Sequence, residues 1–482
     1  MKLTTSEQVS GDCIVVGIDE AGKISGAANK IDQACGGMIS RGVATGDISK
    51  KPFDTTLLPL PTDAMHSAVL VIGTGASQAI SVSDAFTLGA TALRALSGRQ
   101  RESICVTLTD QQPAAVAEAL VAGAVTGTAG QAIYQSEPKR FPPSNVSFLG
   151  ATTQVLEAGQ AIGESVNVTR RLVNEPGNVI YPKSFVDAAV AIAKECELEI
   201  EVWDEAKLRE ERCRAILAVG QGSVRPPRLV KLTYRGDATN GSAPIALVGK
   251  GVTFDSGGLS LKPSASMVDM KMDMAGAATV LGVLRCLAHL QVPCNVVGYM
   301  GLAENMVDGN SYRLGDVIET RSGKTIEILN TDAEGRVVLA DVLDVAAESK
   351  PAAIVDLATL TGACLVALGN NTAGLMGNDQ PLQAAIQAAA QEQGEYVWPL
   401  PMHSFFDEQV RSKVADLKNV GEGRWGGAIT AAKFLEAFVR DSRWLHIDIA
   451  GPAFAESPTP QRDAGATGTM VRTLVHWLRQ QS

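Results

Sequence analysis

Between residues 198 and 451 the chain alternates short runs rich in Val, Ile and Leu with segments of helical spacing. The runs "LEIEVW", "LVKLTY", "PIALVGKGVTF", "CNVVGYMGL", "AAIVDLATLTG" and "LHIDIAG" are nearly continuous in apolar residues. Strands of that kind need cover on both faces, which predicts a mixed, mostly parallel sheet with helices packed against it. The first 150 residues carry a smaller version of the pattern. There "CIVVGI" and "SAVLVIGTG" read as strands, and "VSDAFTLGATALRALSG" has helical spacing. The stretch 154–174, "QVLEAGQAIGESVNVTRRLVN", reads as a long helix stopped by Pro176 and Gly177. The expected fold class is therefore α/β: a small N-terminal domain over 1–150, a linker helix over 151–175, and a larger domain over 176–482.

Length agrees, since 482 residues exceed one ordinary domain. A net charge of −10 argues against a globally basic nucleic-acid binder. The eight cysteines are scattered without a CxxC pair, as expected of buried thiols in a reducing cytosol. The start, "MKLTTSEQVSGDCIVVG", lacks the apolar core of a signal peptide. The low-charge stretch 113–133 is rich in Ala and Gly and interrupted by Glu118, so a packed helix pair explains it better than a membrane span. The expectation is a soluble, cytoplasmic protein.

Some motifs are decoys. "GTGASQ" (73–78) begins like a dinucleotide fingerprint but lacks its third glycine, and reads as a turn. "SGKT" (322–325) lacks the upstream glycine of a phosphate loop and reads as a hairpin turn. The five histidines form no i,i+4 pair, which excludes an HExxH zinc helix. His446, inside a strand, reads as a satisfied core histidine. No GxSxG elbow is present.

Two charged stretches remain. In "LNTDAEGRVVLAD" (329–341), Asp332, Glu334 and Arg336 stand at every second position. An extended segment would place all three on one face. In "VGKGVTFDSGGLSLKPSASMVDMKMDMAGAATVLG" (248–282), Lys250 falls within or just after a buried strand and Asp255 at the strand end. Asp269, Lys271 and Asp273 then alternate with apolar residues at period 2. Open α/β sheets bind ligands beyond the carboxyl ends of their strands. "TIEILN" leads into "TDAEGR" as "IALVGKGVTF" leads into "DSGG", so both place acids there. If those ends are neighbours, Asp255, Asp273, Asp332 and Glu334 converge. Four unpaired carboxylates would repel and take up protons, whereas two divalent cations would balance them. The plainer alternative is a set of solvated loop acids, one of them paired with Arg336.

"NTDAEGR" together with "VGKGVTFDSGGLSLKPS" resembles the leucyl (cytosol) aminopeptidase family of two-metal peptidases. The resemblance spans about residues 150–482, including "VNEPGNVIYP", "DLATLTGA" and "VADLKNVGEGRWGGAITAAKFL", and is loose over the first 150. It implies a metal-dependent aminopeptidase that removes N-terminal leucine or other apolar residues. It implies two metal ions per subunit, Mn²⁺ or Zn²⁺, held by Lys250, Asp255, Asp273, Asp332 and Glu334. Lys250 would ligate as a neutral amine of lowered pKa. Lys262 would stabilise the tetrahedral oxyanion, and Arg336 would hold a bicarbonate general base. Met270, Thr359 and Gly362 match family positions of the substrate pocket. Short peptides with a free N-terminus are the implied partners, and a homohexamer built as a dimer of trimers the implied assembly. Two other readings stand beside this one: a two-metal phosphoesterase, and a DNA-binding role that the acidic balance disfavours.

Overall fold

The apolar runs become strands of two large sheets, one in each of the two units into which the chain divides. The computed structural model describes residues 1–24, 26–61, 64–75, 79–237, 243–423 and 425–481. The first unit comprises Met1–Asn167 with Glu392–Gly394 and Glu456–Gly465; the second holds the remainder. The Thr153–Asn174 helix begins in the first unit and ends in the second.

In the first unit six strands run in the order Lys2–Ser6, Asn145–Leu149, Ser103–Val106, Cys13–Asp19, Ala68–Gly75, Thr55–Pro59. All neighbours are parallel except the last pair. The low-charge stretch forms the Ala114–Gly127 helix, packed against Val82–Leu96. Glycines set that contact: a Cβ on Gly89 would lie 2.0 Å from the Leu120 carbonyl oxygen, and one on Gly123 2.0 Å from that of Phe86. Of the expected 73–78 turn, residues 73–75 end a strand, and 76–78 lie outside the described residues.

The second unit is built on an eight-stranded sheet in the order Tyr396–Pro399, Thr372–Gly377, Trp444–Asp448, Ala353–Ala358, Ile245–Asp255, Asn295–Asn305, Arg228–Arg235, Glu199–Trp203. Its four middle strands are mutually parallel. Glycines on Asn295–Asn305 show helices on both faces. A Cβ on Gly298 would meet Val280 and Leu284 of the Ala275–Leu290 helix, whereas one on Gly301 would meet Val338 and Val342 of Glu334–Glu348. Three positions apart on a strand means opposite faces. The run Ser264–Leu290 is long and apolar enough to cross a bilayer, yet 83% of its most apolar window is buried inside the protein. It belongs to the core.

Three local expectations need correction. "TIEILN" does not supply a strand of the main sheet; Thr325–Glu327 pairs with Val317–Glu319 and Leu417–Lys418 in a separate three-stranded sheet. The "SGKT" turn does close the hairpin between the first two of these strands. Asp332, Glu334 and Arg336 do not share an extended segment. The chain turns at 331–332 and Glu334 opens the Glu334–Glu348 helix, because the apolar residues that follow have helical spacing and an acid is favoured at a helix N-terminus. Finally, 269–273 is not extended: Met270–Met274 is a 3₁₀ turn. Its three-residue period aligns Met270 with Asp273 instead of Asp269 with Lys271.

Close backbone approach lets the Ala275–Leu290 helix start against the strand that carries Lys250. A Cβ on Gly276 would lie 2.1 Å from the Leu357 carbonyl oxygen and 3.0 Å from the Lys250 backbone nitrogen. Gly276→Ala should therefore destabilise the protein by about 1–3 kcal/mol. A fall in the thermal unfolding midpoint is expected; an unchanged midpoint would show that the helix shifts freely.

Candidate active site

Lys250 lies within the Ile245–Asp255 strand on the same face as Val248 and Val252, and is buried. An ammonium there must be paired. Its Nζ is 2.7 Å from Asp273 Oδ1, 2.9 Å from Glu334 Oε1 and 2.9 Å from the Thr359 carbonyl oxygen. Gly335 makes room for it: a Cβ at that position would lie 2.5 Å from Lys250 Cε.

Asp255 ends the same strand. Its Oδ1 accepts from the Gly257 amide and from Asn305 Nδ2, both at 2.8 Å. Gly257 and Gly258 turn the chain in the left-handed region, at φ of 85° and 62°. That turn leads to Lys262, whose Nζ lies 2.9 Å from Asp255 Oδ2 and 2.6 Å from Asp332 Oδ1. One carboxylate oxygen from each of Asp255, Asp273 and Glu334 lies within 4.8 Å of the others. The four acids and two lysines named from the motifs are thus one connected cluster.

Its electrostatics follow from burial. Desolvation first, then the charge of Glu334, pushes the Asp255 carboxyl up to about 6. Burial also raises Asp273 and Asp332. For Lys250 burial works downward but is overridden by Asp273, Glu334 and Asp255, so the chain's own groups hold this amine above its ordinary value. The expected lowering belongs to the amine with cations beside it. The same balance, with Asp255 and Asp332, raises Lys262.

Counted with every group ionised, four carboxylates against two ammonium groups would leave two negative charges in excess, which adds to burial in raising the Asp255, Asp273 and Asp332 carboxyls. Asp273 Oδ2 is buried and has no hydrogen-bond partner among the described residues. An all-oxygen donor set with one amine, an orphaned carboxylate oxygen and surplus negative charge fits divalent cations.

Arg336 sits in the first turn of the Glu334–Glu348 helix, buried. Nη1 donates to the Asn419 carbonyl oxygen at 3.0 Å, while Nε has no hydrogen-bond partner among the described residues. Burial lowers this guanidinium to about 10, with Glu334 and Asp448 opposing. Thr359 is buried, and its hydroxyl donates to Asp273 Oδ1 at 2.7 Å. Met270 is half-buried at the start of the 3₁₀ turn. Gly362 opens the Gly362–Leu368 helix, and a Cβ there would meet nothing within 4 Å.

Several supporting residues had no sequence signal. Asn305 is fully buried and bonds both Asp255 and the Thr331 carbonyl. Asn419 accepts from the Leu329 amide and donates to the Asn330 carbonyl, holding the turn before Asp332. His446, by contrast, reads in the sequence as a satisfied core histidine: Nδ1 meets Asp356 Oδ1 at 2.6 Å, whereas Nε2 has no hydrogen-bond partner among the described residues. Only an acid or amide ending an apolar strand, as in "GYMGLAEN", could have drawn attention to Asn305.

A buried cluster of carboxylates and lysines at the carboxyl end of a central strand in an α/β sheet is the arrangement of a metal-dependent hydrolase. Residues 167–475 match the catalytic domain of the cytosol aminopeptidase family, and residues 15–138 match its N-terminal domain. The chain belongs to the cytosol aminopeptidase family, the leucyl aminopeptidases, and is a metallo-exopeptidase. It is 56% identical to a probable cytosol aminopeptidase of Rhodopirellula baltica, over 95% of this chain and 89% of that one. Identity to the cytosol aminopeptidase of Pseudomonas aeruginosa is 39%, over 100% and 99%. Among solved structures, a bottromycin maturation enzyme in complex with Mn superposes with a TM-score of 0.85 at 36% identity, covering 98% of this chain and 100% of that one. A variant of tomato leucine aminopeptidase superposes with 0.89 at 31%, covering 100% and 96%.

Asn305→Leu should leave the Thr331 carbonyl without the Asn305 donor and take one donor from Asp255, destabilising the protein by about 1–3 kcal/mol. Chemical denaturation measures this. No change would mean that Asp255 does not depend on the strand beside it.

Proposed function

We propose that Lys250, Asp255, Asp273, Asp332 and Glu334 would hold two divalent cations, Mn²⁺ or Zn²⁺. The reaction is hydrolysis of the first peptide bond of short peptides with a free amino terminus, leucine or another apolar residue being preferred. The observation that carries this reading is the surplus negative charge of the cluster with Asp273 Oδ2 orphaned inside it. A Mn-bound relative and the cytosol aminopeptidase names of the relatives support it. Those names also support a cytoplasmic location. A hexamer of two trimers rests on family likeness alone.

Bound there, the cations supply Lewis acidity, which makes water acidic and polarises the scissile carbonyl. The chain's own residues do the rest. Lys262, held between Asp255 and Asp332, keeps its positive charge and places it where an oxyanion develops as the carbonyl carbon becomes tetrahedral. For Lys250 to ligate, its proton must leave, and the neighbouring cations would have to overcome the carboxylates that now retain it. Arg336 stays charged at neutral pH and cannot itself take a proton. Its unpartnered Nε and fork geometry suit a planar oxyanion, and bicarbonate in that grip supplies a general base. Thr359 fixes the Asp273 carboxylate through its hydroxyl, and Met270 and the open space over Gly362 border the first side chain of the substrate.

Leucine p-nitroanilide and its N-acetylated analogue test the reading, with metal-stripped protein and protein restored with Mn²⁺ or Zn²⁺. Release from the free amine alone, and only with metal, is expected. Equal release from both would contradict recognition of the amino terminus. Lys262→Ala should lower kcat by about 10²–10³-fold while metal content stays constant. Arg336→Ala should be milder, because water or buffer anions partly replace the held base. Loss of metal from the first variant would make Lys262 a ligand, and abolished activity in the second would give the guanidinium a larger role.

A further inference from the structure

Glu195, Cys196 and His289 form a second group of metal-ligand type, sharing no residue with the catalytic cluster. Glu195 ends the Pro182–Glu195 helix, Cys196 caps it, and His289 lies in the last turn of Ala275–Leu290. His289 Nε2 is 3.0 Å from Glu195 Oε1 and 3.7 Å from Cys196 Sγ. One candidate ligand atom from each residue lies within 4.8 Å of the other two. Ligands on a tetrahedral zinc, at ordinary Zn–N, Zn–O and Zn–S lengths, stand about 3.3–3.6 Å apart. The two distances from His289 bracket that spacing.

Two further features favour a cation, and a third fixes the carboxylate. Two helices end at the group, and the partial negative charge of both carboxyl termini points the right way. Arg285 Nη2 donates to Glu195 Oε1 at 2.7 Å and orients that carboxylate, although its own positive charge opposes a neighbouring cation. Glu195 and His289 are exposed and Cys196 is partly so, which gives an ion an entry path.

We propose that Glu195, Cys196 and His289 bind one Zn²⁺ ion per chain, with water completing the coordination. The thiol proton leaves to solvent as the sulfur–zinc bond forms. A thiolate selects zinc over Mn²⁺ or Mg²⁺, so this site is chemically separate from one built of oxygens and a single amine.

That difference provides the test. The full chain, its catalytic site loaded with Mn²⁺, is titrated with Co²⁺ as a spectroscopic substitute for Zn²⁺. A saturable thiolate-to-cobalt charge-transfer band is expected, bleached when Zn²⁺ is added. Cys196→Ser should lack the band, and His289→Ala should bind Co²⁺ about tenfold or more weakly. Unchanged far-ultraviolet circular dichroism in both variants would show that the loss is local. Absence of the band from the unsubstituted protein, or its persistence in Cys196→Ser, would overturn the proposal.

Discussion

Lys250 places an amine inside the Ile245–Asp255 strand, where water cannot solvate it. Desolvation of such a group costs several kcal/mol, and removing one partner of a buried pair typically costs about 3–5 kcal/mol. The surrounding structure is arranged to supply those partners. Asp273 comes from the 3₁₀ turn, Glu334 from the start of a helix on one face, and the Thr359 carbonyl from the end of the adjacent strand. Gly335 removes a side chain that would collide with the Lys250 amine, and Gly276 one that would collide with the strand backbone.

The cluster is not, however, an optimised ion pair. Paired charges alone would need equal numbers, and here acids outnumber lysines, with Asp273 Oδ2 lacking a hydrogen-bond partner among the described residues. Raised Asp255, Asp273 and Asp332 carboxyls express the same frustration. Charge of this kind costs stability and is expected at sites that bind cations. Supporting residues absorb part of that cost by fixing each carboxylate: Asn305 and Gly257 for Asp255, Thr359 for Asp273. Asp341, seven residues along the helix that Glu334 opens, accepts from the amides of Ala215, Ile216 and Arg321 and so ties that helix to two neighbouring segments.

Much of this was legible in the sequence. Long apolar runs read as strands because both faces of the sheet are covered, and Lys250 stood out as a charge inside one of them. The four acids drew attention because they sit in glycine-bearing segments beside apolar ones, and they do lie together. Local geometry was less legible. Spacing of two suggested extended chain at 332–336, but a helix begins at Glu334, so the acid and arginine are positioned by a turn and a helix end. At 269–273 a similar alternation belongs to a 3₁₀ turn. Partners across the fold left no local trace: Asn419 reaches Arg336 over 83 residues of chain, and Thr359 reaches Asp273 over 86.

Anomalous X-ray scattering at the manganese edge, from crystals of active protein grown with Mn²⁺, tests the central claim most directly. Two peaks per chain are predicted among Lys250, Asp255, Asp273, Asp332 and Glu334, about 3.5–4 Å apart. A single peak, or none within this cluster in protein that hydrolyses leucine p-nitroanilide, would contradict the account.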